Sequence, residues 1–163
     1  MEDILYAPWR DEYVTNEKIE GCVFCHISKN AHDDENLHVL YRDEHCFIVM
    51  NRYPYTPGHF MIIPHTHTDK LETLDPNVWL HISSLAQKGV RLLKEGLGAH
   101  GVNIGMNLGK AGGAGIAEHI HLHLVPRWER DTNFITAIGQ NRVYSTDFER
   151  IYKKILAMVP KYI

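Results

Sequence analysis

The sequence predicts an α+β fold: about five antiparallel strands, one long helix and a C-terminal helix. Three observations carry the prediction. Short apolar runs of strand length recur between residues 37 and 126, bounded by Gly, Pro or Asp. Two of them are separated only by Asp43-Glu44, the spacing of a hairpin and so of antiparallel pairing. One longer stretch, opening at Asp75-Pro76, has apolar residues at helical spacing, and strands linked by hairpins and long loops around one helix belong to the α+β class.

The elements follow in order. Residues 1–21 read as irregular, with Pro8 and Trp9 tying the segment to the body. Residues 37–42 and 45–51 are the hairpin strands; Pro54 and Pro57 make the next segment a loop, and Gly58 to Pro64 is a third strand. Asp75 caps the helix with Pro76 at its first position. Trp79, Ile82, Ala86, Leu93 and Leu97 share its face, and Gly96 and Gly98 stop it near residue 96. Residues 101–108 form a fourth strand, 109–117 a glycine-rich loop and 119–126 a fifth strand. Thr146 and Glu149 have capping-box spacing and open a last helix to about Val159. With no repeat and no long linker, residues 1–163 form a single domain with its core at about 20–130, an N-terminal arm and a C-terminal helical extension.

Composition narrows the function classes. The chain of 163 residues is 44% hydrophobic and 23% charged, an ordinary globular balance. A net charge of −3 gives no global pull toward nucleic acid. No apolar run reaches the roughly 20 residues of a membrane span, and the acidic N-terminus does not resemble a signal peptide. Three cysteines are not a disulfide framework, which points to a reducing compartment, the cytoplasm. Histidine is the unusual residue: there are twelve, in clusters.

His119-Ile-His-Leu-His-Leu-Val125 is the most informative segment. Side chains alternate along a strand, so the three imidazoles line one face and Ile120, Leu122 and Leu124 the other. A lone buried histidine is commonly packing; three at period two call for hydrogen bonds, metal or chemistry. A metal-only site of the cupin kind wants a glutamate three or four residues after an HxH pair. Here Glu129 comes six after His123, and Pro126 interrupts.

This strand resembles the signature of the histidine-triad (HIT) superfamily of nucleotidyl hydrolases and transferases. Asn51-Arg-Tyr-Pro-Tyr-Thr-Pro-Gly-His59 is similar to the N-x-x-P-x-x-P-G-H segment of its Fhit branch, and Leu5–Arg10, Arg127-Trp128 and 131–134 resemble features flanking prokaryotic diadenosine tetraphosphate phosphorylases. The resemblance implies a HIT-like fold. It also implies that His121 forms a nucleotidyl-histidine intermediate at an α-phosphate, with His119, His123 and His59 as its partners and His123 near the phosphate or leaving group. A neutral imidazole suits this attack, because anionic oxygens shield the phosphorus.

Asn51 resembles the family residue that holds the ribose hydroxyls. Glycines of the loop, including Gly113 and Gly115, let backbone N–H groups approach phosphate, and Lys110 adds a charge. Asn107 stands where Fhit hydrolases carry a glutamine, and the loop is one residue longer; both leave water or phosphate open as acceptor. The implied partner is an adenine nucleotide such as diadenosine tetraphosphate, and the implied assembly a homodimer. A slow-turnover nucleotide-binding regulatory module is the alternative. It would be expected to lose part of the triad, His59 or the phosphate loop, all of which are present.

Cys22-Val-Phe-Cys25 has the spacing of two zinc thiolates. A redox pair is the other reading, without the βαβ context that would favour it. His26, His65, His67 and His119 are the nearby candidates for the remaining ligands. The family resemblance implies His67 and His119 around one structural zinc per chain, with His65 the rival of His67. Cys46 reads as packing, and Phe24 as core, with packing on the nucleotide base as its other reading.

Overall fold

In the computed structural model, which describes residues 20–132, 134–139, 144 and 146–163, the chain runs α1 (Val23–Lys29), β1 (Val39–Arg42), β2 (Cys46–Met50), β3 (Phe60–Pro64), α2 (Pro76–Arg91), β4 (Gly101–Gly105), β5 (Leu122–Arg127), α3 (Phe134–Gly139) and α4 (Phe148–Tyr162). The N-terminal arm, with Pro8, Trp9 and the Leu5–Arg10 motif, lies outside the described residues. The five strands form one antiparallel sheet in the order β1-β2-β3-β5-β4. No described helix is long and apolar enough to cross a membrane.

Both faces of the sheet are covered, which is why β2 and β3 read as unbroken apolar runs: every residue of both is buried. Cys46, Ile48, Met50, Phe60, Ile62, Leu122 and Leu124 face α2 and α4, where they meet Ile82, Leu85, Ile151 and Ile155. Phe47, Val49, Met61 and Ile63 face α1 through Phe24 and Ile27. Each fully buried Leu, Ile or Phe here stabilises the fold by roughly 1.5–3 kcal/mol. Gly89 lets α2 lie close on the sheet, since a Cβ there would stand 2.8 Å from Leu124 Cδ2 and 3.0 Å from Phe60 Cζ.

Several boundaries differ from the sequence reading. Asp75 caps α2, accepting from the Asn77 N–H, but the regular helix ends at Arg91 and a π turn, Leu92–Gly96, completes it. Asp147, not Thr146, caps α4, accepting from the Arg150 N–H at 2.7 Å. β1 begins at Val39, β3 at Phe60 and β5 at Leu122, and β4 stops at Gly105, so each ladder is shorter than its apolar run. The helix α1 has no counterpart in the sequence reading.

The hairpin turn is fastened to α2. Asp43 accepts from the His45 and Cys46 N–H groups and, at 2.6 Å, from His81 Nε2. Burial alone would raise the Asp43 pKa, but these donors outweigh it and bring it down to about 2. Cys46 is wholly buried; burial first, and then Asp43, push its thiol up to about 12, so it serves as packing.

Candidate active site and metal centre

The α1 face of the sheet collects the histidines. His123 sits opposite Met61 in the β3–β5 ladder and therefore shares that face. The alternation of the sequence continues upstream of Leu122: Ile120 joins the α2-side core, while His119 and His121 are buried on the other side. His119 and His121 nonetheless precede β5, beyond the last ladder pair.

The loop before β3 delivers His59. Thr56 Oγ1 donates to the Pro126 carbonyl at 2.7 Å and pins the loop to β5. Gly58 turns the chain at φ +88°, where a Cβ would stand 2.5 Å from Leu97 Cδ2, so only glycine fits. His59 is fully buried, with Nε2 2.9 Å from His123 Nδ1.

Hydrogen bonds assign the tautomers. The Tyr55 N–H donates to His59 Nδ1 at 3.2 Å, so a neutral His59 carries its proton on Nε2 and donates to His123 Nδ1. His123 then carries its proton on Nε2. His121 Nδ1 donates to the His119 carbonyl at 2.8 Å, which leaves the lone pair on its Nε2. His119 Nε2 donates to the Pro64 carbonyl at 2.9 Å, which leaves its Nδ1 free to accept. The rings of His121 and His123 lie 4.8 Å apart, so a lone pair and a donor occupy neighbouring positions.

Burial keeps these imidazoles neutral. It brings His59 down to about 3, aided by the charges of His123 and His121, and His123 down to about 4, aided by His121. His121 and His119 are lowered by burial too, opposed by the backbone carbonyls they donate to. The linkage has a definite sign. Above the ordinary 6.5 both folded and unfolded forms are neutral, and below it only the unfolded chain takes up these protons. Stability should therefore fall as pH drops from about 6.5 toward 4, by up to about 1.4 kcal/mol per pH unit for each group. Urea midpoints at pH 7, 5.5 and 4.5 check this; a slope no shallower in His123→Asn would count against it.

The residues expected from the sequence to meet the nucleotide are spread around this centre. Asn51 Nδ2 lies 3.3 Å from both ring nitrogens of His59, and Asn51 Oδ1 accepts from the Tyr53 N–H. Lys110 and Gly115 line a cavity of about 520 Å³ together with Asp69 and Glu118. Gly113 is left-handed at φ +87°, the loop's backbone bonds stay within it, and it folds back over the backbone of Asn107. Among the described residues no hydrogen bond joins this loop to the histidines.

Three further donors meet His119. Cys22, Cys25, His67 and His119 bring one ligand atom each to within 4.8 Å of the others. Cys25 Sγ is 3.2 Å from His67 Nδ1, Cys22 Sγ 3.4 Å from His119 Nδ1, and the two Nδ1 atoms are 3.3 Å apart. These three separations fit edges of the tetrahedron that a zinc held by two nitrogens and two sulfurs would require. Both thiols stand one helical turn apart across the start of α1. His65 turns away, its Nδ1 to Ser28 Oγ at 2.7 Å and its Nε2 to the Asp43 carbonyl, and His26 is exposed.

Phe24 is core, as the sequence reads it, but its ring contacts and the placement of Tyr55 escaped that reading. Phe24 packs not only in the core but on the rings of His119 and His121, at 5.6 and 5.0 Å. Tyr55 lies over His59 at 4.8 Å and stacks near His123 at 6.2 Å. The placement of Phe24 inside the CxxC was the available signal; the backbone role of Tyr55 leaves none.

A model of the HIT domain matches residues 33–130. An AP-4-A phosphorylase of Mycobacterium tuberculosis is 42% identical over 111 residues, 68% of this chain and 56% of that protein. The Arabidopsis thaliana adenylylsulfatase HINT3 is 33% identical over 110 residues, 68% of this chain and 54% of that protein. The chain thus spans about half the length of these curated relatives. Among solved structures, a Zn-bound histidine triad family protein from Mycobacterium smegmatis superposes with a TM-score of 0.71 at 32% identity, covering 86% of this chain and 94% of that one.

Proposed function

The chain belongs to the HIT family, and from that premise we propose that it cleaves dinucleoside polyphosphates such as diadenosine tetraphosphate at the α-phosphate, through a nucleotidyl-histidine intermediate on His121. The tautomer set carries the reading: a buried imidazole with its lone pair on Nε2 stands beside a His123 Nε2–H donor. His121 Nε2 bonds to phosphorus while the bond to the bridging oxygen breaks. His123 hydrogen-bonds the departing oxygen, and His59 holds His123 in the donor tautomer. The adduct is a cationic imidazolium whose Nδ1–H rests on the His119 carbonyl. An acceptor then displaces Nε2 and returns His121 to the neutral form.

Inorganic phosphate is the acceptor we favour. A phosphate dianion needs donors and no general base, and the 42% identical relative is an AP-4-A phosphorylase. Asn51 serves the ribose, and Lys110 with Gly113, Gly115 and the neighbouring Asn107 serves the phosphates. Cys22, Cys25, His67 and His119 would hold one zinc, which when bound supplies a structural crosslink. The same reading takes the chain as a cytoplasmic homodimer. Three cysteines, none of them in a disulfide, fit a reducing compartment. Leu80 on α2 stands exposed, and so does Ile104 on the edge strand β4, which lines a groove of about 390 Å³ with Trp79, Val90 and Leu122.

Cleavage in labelled water tests the reaction. Attack at an α-phosphorus splits diadenosine tetraphosphate asymmetrically, into AMP and ATP with water or ADP and ATP with phosphate. Label in AMP marks hydrolysis, and unlabelled ADP marks phosphorolysis. Two ADP in phosphate-free buffer would overturn the assignment, and no turnover would return the chain to a nucleotide-binding module.

A further inference from the structure

We infer that the cysteine–histidine centre sets the tautomer and orientation of the nucleophile, with His119 as the positioning residue that links them through its own backbone carbonyl. The inference rests on the proposed roles of His121 as nucleophile and of the four donors as zinc ligands.

The starting point is where the sheet stops. The ladder to β3 ends at Leu122 and the ladder to β4 at His123, so residues 119–121 overhang the sheet. Among the described residues their backbone N–H tie is that of Ile120 to the Thr68 carbonyl at 2.9 Å. Yet the carbonyl of His119, in this overhang, accepts the Nδ1–H of His121 and so decides which nitrogen of the nucleophile has the lone pair. Sheet hydrogen bonds do not orient that carbonyl.

The His119 side chain does. It is wholly buried and tied at both ring nitrogens, with Nε2 donating to Pro64 at the end of β3 and Nδ1 facing Cys22, Cys25 and His67. A ring fixed at both ends fixes the Cα and the peptide that follows it. Phe24 supplies a second route. It sits between the two cysteines on α1 and packs on the His121 ring at 5.0 Å, so whatever holds the thiols also holds the wall behind the nucleophile. Both routes begin at Cys22 and Cys25 and end at His121, and neither passes through Asn51 or Lys110. Loss of the centre should therefore lower kcat and leave KM nearly unchanged.

The test uses the full-length, zinc-loaded protein and Cys25→Ser, which alters a ligand that does not touch His121. Metal content, the ¹⁵N ring shifts of His121, and kcat and KM with diadenosine tetraphosphate are read on the same samples. The loaded protein should show His121 protonated on Nδ1 alone. Cys25→Ser should lose zinc, show a mixture of tautomers, and drop kcat roughly 10- to 100-fold with KM within about twofold. Zinc lost with tautomer and kcat unchanged would overturn the relay while leaving the zinc reading intact. Purified protein without zinc, or zinc retained in the variant, would overturn both at the metal step. Should Cys25→Ser not fold, stepwise chelation of the wild-type protein, followed by the same shifts and by circular dichroism, gives the same decision.

Discussion

Replacing His121 by Asn should reduce turnover by at least roughly 10³-fold while leaving the protein folded and able to bind nucleotide. The asparagine Nδ2 takes the place of the imidazole Nδ1 and keeps the hydrogen bond to the His119 carbonyl, now 2.8 Å. Only the Nε2 lone pair disappears. His121→Ala should lose the same activity and, in addition, about 0.5–1.5 kcal/mol for the missing hydrogen bond, more where the Phe24 contact opens a void. Single-turnover measurements with acid-quench detection of an AMP adduct check the chemistry, and thermal melting checks the fold. Near wild-type rates in His121→Asn would remove His121 from the role of nucleophile.

Cys22→Ser should purify without zinc and melt on the order of 10 °C lower than the wild type. His119 Nδ1 is buried and faces Cys22 Sγ at 3.4 Å. Without a metal it loses a strong partner, which costs about 1–3 kcal/mol, and three separated segments lose their common tie. Together these reach roughly 3–5 kcal/mol, at a few degrees per kcal/mol for a chain of this size. His65→Ala is the comparison, because His65 is bound to Ser28 and Asp43 and away from the donor group. Its zinc content should stay at one per chain, whereas His67→Ala should lose it. One zinc per chain in Cys22→Ser would sink the assignment of this ligand.

The class of the fold was readable because both of its periodicities are strong. Asp75-Pro76 opens α2 as the residue types require, and β2 and β3 are apolar throughout because helices cover both faces of the sheet. The element ends were less readable. Apolar alternation reports which way a side chain faces, and it continues through Ile120, which no ladder includes; the hydrogen bonds that end β5 at Leu122 leave no mark in composition. Thr146 and Asp147 are both good caps, and adjacent, so spacing to Glu149 could not tell that Asp147 reaches the Arg150 N–H. Helix α1, at seven residues, is too short for a period to emerge. In the site, His65 and His67 differ by one full alternation, and only the fold sends one to Ser28 and the other to Cys25. The triad and the CxxC were legible as groups; the carbonyls of Pro64 and His119 that orient them belong to the backbone and carry no residue signature.

The partners in this site are far apart along the chain: His59 and His123 by 64 positions, Cys22 and His119 by 97. Contacts of that separation close large loops, and their entropic cost must be met before they stabilise anything. Neither the histidine chain nor the four-donor group can therefore form from a hairpin or a helix alone. Both wait for β5 to dock between β3 and β4. Synthesis delivers Cys22, Cys25 and His67 well before His119, so a nascent chain displays three of the four donors until its last third emerges. Zinc capture and nucleotide cleavage should then appear together, late, in refolding.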